Sequence, residues 1–202
     1  MNPRIASPHH WHDEPSPRLD GLRRAWLRQP GALTAGLRRL GRVELFVRRE
    51  TVVPLPTSWA DEAGLSAGTA VWWREILMTL DGLPGVQACS FTPWRASLGP
   101  WKAMRGLGRR PLADILYRDP RIVRSPFRFG RLLVAEAGGA WEAPGNDARI
   151  EARHSVFARQ GEPLLVAEYF LPAFWMLAGR SGATEPRPRL PRYECGWPAR
   201  PA

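Results

Sequence analysis

Between Thr69 and Leu80 the chain is apolar on both sides of an extended strand. Trp72, Arg74, Ile76 and Met78 fall on one face and Trp73, Glu75 and Leu77 on the other, so each face carries one charge. Asp81-Gly82 follows, and then the apolar run Val86 to Thr92, which together predict a hairpin. The arrangement recurs later as Ala148 to Arg159, the turn Gln160-Gly161-Glu162-Pro163, and Leu164 to Leu171. Val43 to Arg49 predicts a strand ahead of both hairpins, and residues 121–135 predict two shorter strand pieces. Apolar spacing predicts helices over Leu22–Leu27, stopped by Pro30-Gly31, and over Leu33–Leu40, stopped by Gly41. Two more, Pro100–Leu107 and Pro111–Tyr117, open on a proline, the residue favoured at a first helical position. Residues 54–68 read as a loop with one helical turn around Trp59 to Leu65, and Gly138 to Asp147 as a loop.

Strands joined by tight turns pair antiparallel, so the class is α+β, a single antiparallel sheet covered by helices. The chain has 202 residues, 44% of them hydrophobic, enough for one domain with a substantial core. Its 21 prolines gather at the two ends, which divides the chain into a disordered leader over residues 1–20, a folded domain over 21–178 and a Pro-rich disordered tail over 179–202. His9, His10 and His12 fall in that leader and read as part of it, not as a metal site. The net charge is +10, and Lys102 is the sole lysine. The basic residues are scattered and no nucleic-acid-reading signature accompanies them, so the charge is read as steering a small anion and not as binding nucleic acid. Cys89 and Cys195 make no disulfide framework, which points to a reducing compartment. No window approaches the length of a membrane helix, and no secretory signal opens the chain, so the expectation is a cytoplasmic protein without stable membrane insertion.

The chemistry gathers at two charges in apolar strands. Glu168 stands alone in Leu164-Leu165-Val166-Ala167-Glu168-Tyr169-Phe170-Leu171-Pro172, and Arg74 stands in the first hairpin. Burying an unpaired charge costs several kcal/mol. Either the two pair with each other, or they reach solvent at an edge, or they line a pocket for an anionic, hydroxylated molecule. Periodicity alone does not choose Arg74 over Glu75 as the pocket-facing residue.

Four segments resemble the chorismate pyruvate-lyase (chorismate lyase) family: Trp73-Arg74-Glu75-Ile76-Leu77, Asp81-Gly82-Leu83-Pro84, Leu107-Gly108-Arg109-Arg110-Pro111-Leu112, and Glu162-Pro163 through Leu171-Pro172. The resemblance runs from about Leu22 to Leu177. It implies a sheet of about six strands with helices on one side, and a ligand enclosed beneath flap-like helical segments. The implied reaction turns chorismate into 4-hydroxybenzoate and pyruvate for ubiquinone biosynthesis, without a cofactor, in a monomer. Arg74 matches the arginine that holds the ring carboxylate, and Leu112 a position whose backbone N–H assists there. Glu168 matches the acid at the ring hydroxyl, and Leu33 the flap position above it. Arg74 and Glu168 are thus the implied catalytic pair. Cys89 stands where the family commonly has a second basic residue, with Arg95, Arg153 and His154 as the candidates to replace it. Gly85 likewise replaces an aromatic residue usual after the turn proline.

The competing expectation is a non-catalytic sensor domain of the same fold that binds an aromatic carboxylate without turnover. Trp72, Trp73, Trp94 and Trp101 could line a pocket for a ring or pack in a core, and core packing is the reading for Trp73. Trp11, Trp141 and Trp197 suggest nothing specific.

Overall fold

The computed structural model describes Pro8 and residues 10–133 and 149–180. The expected loop Gly138 to Asp147, the tail from residue 181, His9, Cys195, Trp141 and Trp197 lie outside the described residues. The strands are β1 (Val43–Pro54), β2 (Ala70–Leu80), β3 (Leu83–Pro93), β4 (Val123–Arg124), β5 (Arg128–Leu133), β6 (Arg149–Arg159) and β7 (Glu162–Phe170). They form one antiparallel sheet in the order β1-β2-β3-β7-β6-β4, with β5 also paired to β6.

Both predicted hairpins are present, and for the expected reason. Asp81 and Gly82 have φ of 48° and 83°, and Gln160 and Gly161 have 53° and 78°. Two left-handed residues in succession match the twist of the flanking strands, and Asp and Gly tolerate that conformation best.

The helices are α1 (Gly21–Arg28), α2 (Leu33–Leu37), α3 (Thr57–Ala63), α4 (Ala113–Leu116) and α5 (Pro172–Arg180). On one face of the sheet Trp73, Cys89, Phe91, Ala167 and Tyr169 pack with Trp59 and Ala63 of α3. Trp73 is fully buried and stacks on Phe91 with ring centres 5.0 Å apart, as its core reading required. On the other face one cluster joins Met78, Val86 and Phe170 to Leu27, Leu33, Leu37 and Phe174 of α1, α2 and α5. A second cluster on that face joins Phe157 and Leu164 to Trp101, Met104 and Leu116. Helices therefore cover both faces and not one side, because α3 supplies the lid that the Trp73 face needs. Trp72 and Trp94 do not enter the core together with Trp73; the Arg105 guanidinium lies over both rings at 4.9 and 4.6 Å.

Several expectations are corrected. The leader is not free over its described part: Trp11 is buried, and His12 and Phe129 exchange two backbone hydrogen bonds of 2.8 Å. Burying a side chain of that size contributes roughly 2–3 kcal/mol, enough to hold a short Pro-rich segment on the sheet. Residues 54–68 contain a full helix, α3, closed by Gly64 at φ 65°. The sequence pattern predicts only a strand end before Pro172, whereas Pro172 opens helix α5, which buries Phe174 and Trp175. The two helices expected near residue 110 shrink to a 3-10 segment, Lys102–Gly106, and the single turn of α4, because Gly108 takes φ 52° between them. No helix among the described residues is long and apolar enough to cross a membrane.

Helix α1 bears on the site because the chain leaves it directly into α2. Asp20 caps it, its Oδ1 accepting the Arg23 N–H at 2.8 Å. Asp20→Ala is expected to remove about 1 kcal/mol of stability, seen as a melting temperature lower by roughly 2–4 °C in a chain of this size.

Candidate active site

The gap between the two clusters on the α1–α2 face is a cavity of about 700 Å³ of empty space, counted out to its mouth. The strand register builds its floor. Arg74, Ser90, Val166 and Ser155 form one row across β2, β3, β7 and β6, and Ile76, Ala88, Glu168 and Arg153 form the next. Gly31 to Thr34 roof one side and Pro111 to Tyr117 the other. All four residues singled out in the sequence, Leu33, Arg74, Leu112 and Glu168, line this one cavity.

Arg74 and Glu168 do not pair with each other. They stand two strands apart, about 10 Å across the sheet, and each has its own partner. Arg74 is 2% exposed. Its Nη1 donates to Oε1 of Glu50, which lies directly opposite on β1, and its Nη2 donates to the Gly108 carbonyl at 2.7 Å. Two of five guanidinium N–H groups are thus committed, which fixes the plane of the fork. Glu168 accepts at Oε2 from Arg153 Nε at 2.6 Å. Its Oε1 has no hydrogen-bond partner among the described residues.

Arg153 is 1% exposed, and its charge is met from three directions. Nε faces Glu168, while Nη1 donates to the carbonyls of Trp26, Leu27 and Gln29 at 3.3, 3.0 and 2.8 Å. The Phe127 ring lies 4.2 Å from the guanidinium carbon.

Two backbone amides complete the polar set. Leu112 sits just before α4, and Leu33 is the first residue of α2. Neither N–H donates to any group among the described residues, as befits the opening of a helical turn. Tyr117 and Ser155 also line the cavity. Burial pushes the Tyr117 phenol above its ordinary pKa; Arg124 pulls it down and Glu168 pushes it up. The phenol is therefore protonated at neutral pH. Ser155 is buried, and its Oγ has no partner among the described residues.

Of the three candidates, Arg153 is the second basic residue that lines the cavity, three strands from Arg74 and opposite Glu168. Arg95 is exposed and does not line the cavity, and His154 projects to the opposite face, where its Nε2 lies 3.0 Å from Glu62. Cys89 has Glu75 and Ala167 as its cross-strand neighbours, and its side chain belongs to the Trp73 core. Its thiol is pushed up, first by burial and then by the Glu75 charge, so it is no nucleophile. Glu75 also faces that core, where its Oε1 accepts from Trp73 Nε1 at 2.8 Å. The choice left open by periodicity thus falls on Arg74.

The sequence profile of the chorismate lyase family matches residues 15–180. The chain belongs to that family. It is 52% identical, over 79% of its length and 87% of the relative's, to a protein of Bordetella pertussis named probable chorismate pyruvate-lyase. It is 39% identical, over 83% of its length and 91% of the relative's, to a protein of Pseudomonas fluorescens named probable chorismate pyruvate-lyase 1. Among solved structures, the PhnF C-terminal domain superposes with a TM-score of 0.53 at 16% identity, over 71% of this chain and 89% of that one. That likeness is one of fold. Reading the sequence alone missed Glu50, Tyr117 and Ser155, and left Arg153 as one of three candidates. Alternation with Glu168 across the second hairpin was the one signal that could have placed Arg153.

Proposed function

We propose that the protein is a chorismate pyruvate-lyase, converting chorismate to 4-hydroxybenzoate and pyruvate in the route to ubiquinone, as a cytoplasmic monomer. The observation that carries this is the placement of Arg74 and Glu168 at separate positions on the floor of one apolar cavity, each held by its own partner. Arg74 offers a fixed fork for the ring carboxylate, with the free Leu112 N–H from the roof. Glu168 Oε1 accepts from the ring hydroxyl, and the Leu33 N–H closes above that oxygen.

The reaction asks little else of a protein. The carbon bearing the hydroxyl loses its hydrogen as a proton, and that electron pair becomes a ring double bond. The bond from the neighbouring carbon to the enolpyruvyl oxygen breaks and its electrons leave with the oxygen. The enolpyruvate gains a proton and becomes pyruvate. Aromatisation supplies the driving force, so orienting the ring, excluding water and moving one proton suffice. Glu168 orients the hydroxyl and is the group placed to handle that proton.

Ser155 gives this reading an expectation of its own. It stands diagonal to Glu168 on the neighbouring strand, at the end where the enolpyruvyl ether would lie. Its unpartnered hydroxyl suits the enolpyruvyl carboxylate, a group the product ring lacks. Ser155→Ala is expected to raise KM for chorismate by about fivefold, the worth of one hydrogen bond, while 4-hydroxybenzoate binds as before. Steady-state kinetics and product titration check both halves.

The deciding assay mixes purified protein with chorismate and follows both products. Equimolar 4-hydroxybenzoate and pyruvate support the lyase. Tight binding of chorismate with no products would make it a sensor instead.

A further inference from the structure

We infer that Arg153 is a positioning residue that couples Glu168 to the flap formed by α2. The inference rests on the lyase reading for the ligand hydroxyl at Glu168 and for the ligand arm of its test, while the ligand-free link from Glu168 through Arg153 to α1 stands on the contacts alone. Arg153 touches both partners at once: Nε donates to Glu168 Oε2 at 2.6 Å, and Nη1 donates to the carbonyls of Trp26, Leu27 and Gln29. Those carbonyls end α1, where the helix dipole favours a cation; Trp26 O also accepts the Gln29 N–H at 3.2 Å, while Leu27 and Gln29 O have no backbone donor among the described residues. Within two residues Gly31, at φ 76°, turns the chain into α2, whose opening residues Leu33 and Thr34 roof the cavity.

The guanidinium is 1% exposed, so water does not substitute for either partner. A ligand hydroxyl on Glu168 Oε1 fixes the carboxylate. The carboxylate fixes the planar fork, and the fork fixes the carbonyls from which the flap departs. Because such coupling is reciprocal in binding, holding the flap in place also strengthens the grip at Glu168. Lysine carries the charge but not the fork, and cannot hold Glu168 and three carbonyls in one geometry.

Amide hydrogen exchange on the full chain tests this with wild type, Glu168→Gln, Arg153→Lys and Arg153→Met. Glu168→Gln changes a residue whose hydrogen bond among the described residues goes to Arg153 and not to α1, yet weakening that charge-assisted bond should speed exchange at residues 29–37 by about tenfold without ligand. Arg153→Lys should do the same, while the amides of β2 and β3 stay as in wild type. With 4-hydroxybenzoate, wild type should gain protection at residues 29–37, and Arg153→Met should bind but gain none there. Wild-type exchange at residues 29–37 in Glu168→Gln would overturn the coupling, as would full ligand protection in Arg153→Met. If Arg153→Met does not fold, the Glu168→Gln comparison decides alone. Failure of wild type to bind 4-hydroxybenzoate would sink the lyase reading while the ligand-free comparison still judged the coupling.

Discussion

Arg74→Ala should lower kcat/KM for chorismate by about three orders of magnitude, or ~4 kcal/mol of transition-state binding. The loss has two parts. A bidentate, charge-assisted contact to the ring carboxylate disappears. Glu50, which now spends its charge on Arg74, is left as an unpaired carboxylate on β1 behind the Arg74 position and repels the incoming anion. Substrate and product share the ring carboxylate, so the affinity for 4-hydroxybenzoate should fall along with kcat/KM. Arg74→Lys should fall in between, because it keeps the charge and loses the fork. Pairing Arg74→Ala with Glu50→Ala should recover part of the affinity, since the repulsion goes with the carboxylate. Pyruvate release and product titration measure these effects. Near wild-type turnover in folded Arg74→Ala would remove Arg74 from the site.

The second large effect is expected at Glu168, and it should appear in kcat more than in KM. A side chain that orients the reacting hydroxyl and handles a proton typically contributes 10²–10⁴-fold, so Glu168→Gln should lower kcat by about that range. Glutamine keeps the shape and can still accept from Arg153. Glu168→Ala removes both and strands a cation that is 1% exposed. Breaking a buried ion pair from one side costs about 3 kcal/mol, so the alanine variant should also melt markedly lower. The glutamine variant separates the chemistry from that structural loss. A drop in kcat with melting close to wild type is the expected pattern. A rise in KM alone would move Glu168 from the chemistry to ground-state binding.

These two residues were visible in the sequence because a charge in a hydrophobic strand needs a reason, and the reason lies within a few residues of it. The hairpins were visible on the same terms: Asp81-Gly82 and Gln160-Gly161 set their own turn geometry. Contacts that depend on distant pairing were not visible. Glu50 meets Arg74 only because β1 lies beside β2 in one particular register. Arg153 meets the end of α1 across most of the chain, and no local pattern marks three backbone carbonyls as its partners. Trp11 looked like part of a leader because its neighbours are polar, yet burying one indole outweighs that composition. Pro172 carried two meanings, the end of a strand and the start of a helix, and only the apolar face of α5 against β3 decides between them. The Cys89 side chain follows its cross-strand neighbour Glu75 to the Trp73 face, so at this strand position only the backbone side is turned to the cavity.

The central claim is that Arg74 and Glu168 hold opposite ends of one aromatic ring. A crystal structure of the complex with 4-hydroxybenzoate tests it most directly. The carboxylate should lie on Arg74 and the Leu112 N–H, with the hydroxyl on Glu168 and beneath the Leu33 N–H. A ring bound elsewhere, or in this cavity with its ends reversed, would contradict it.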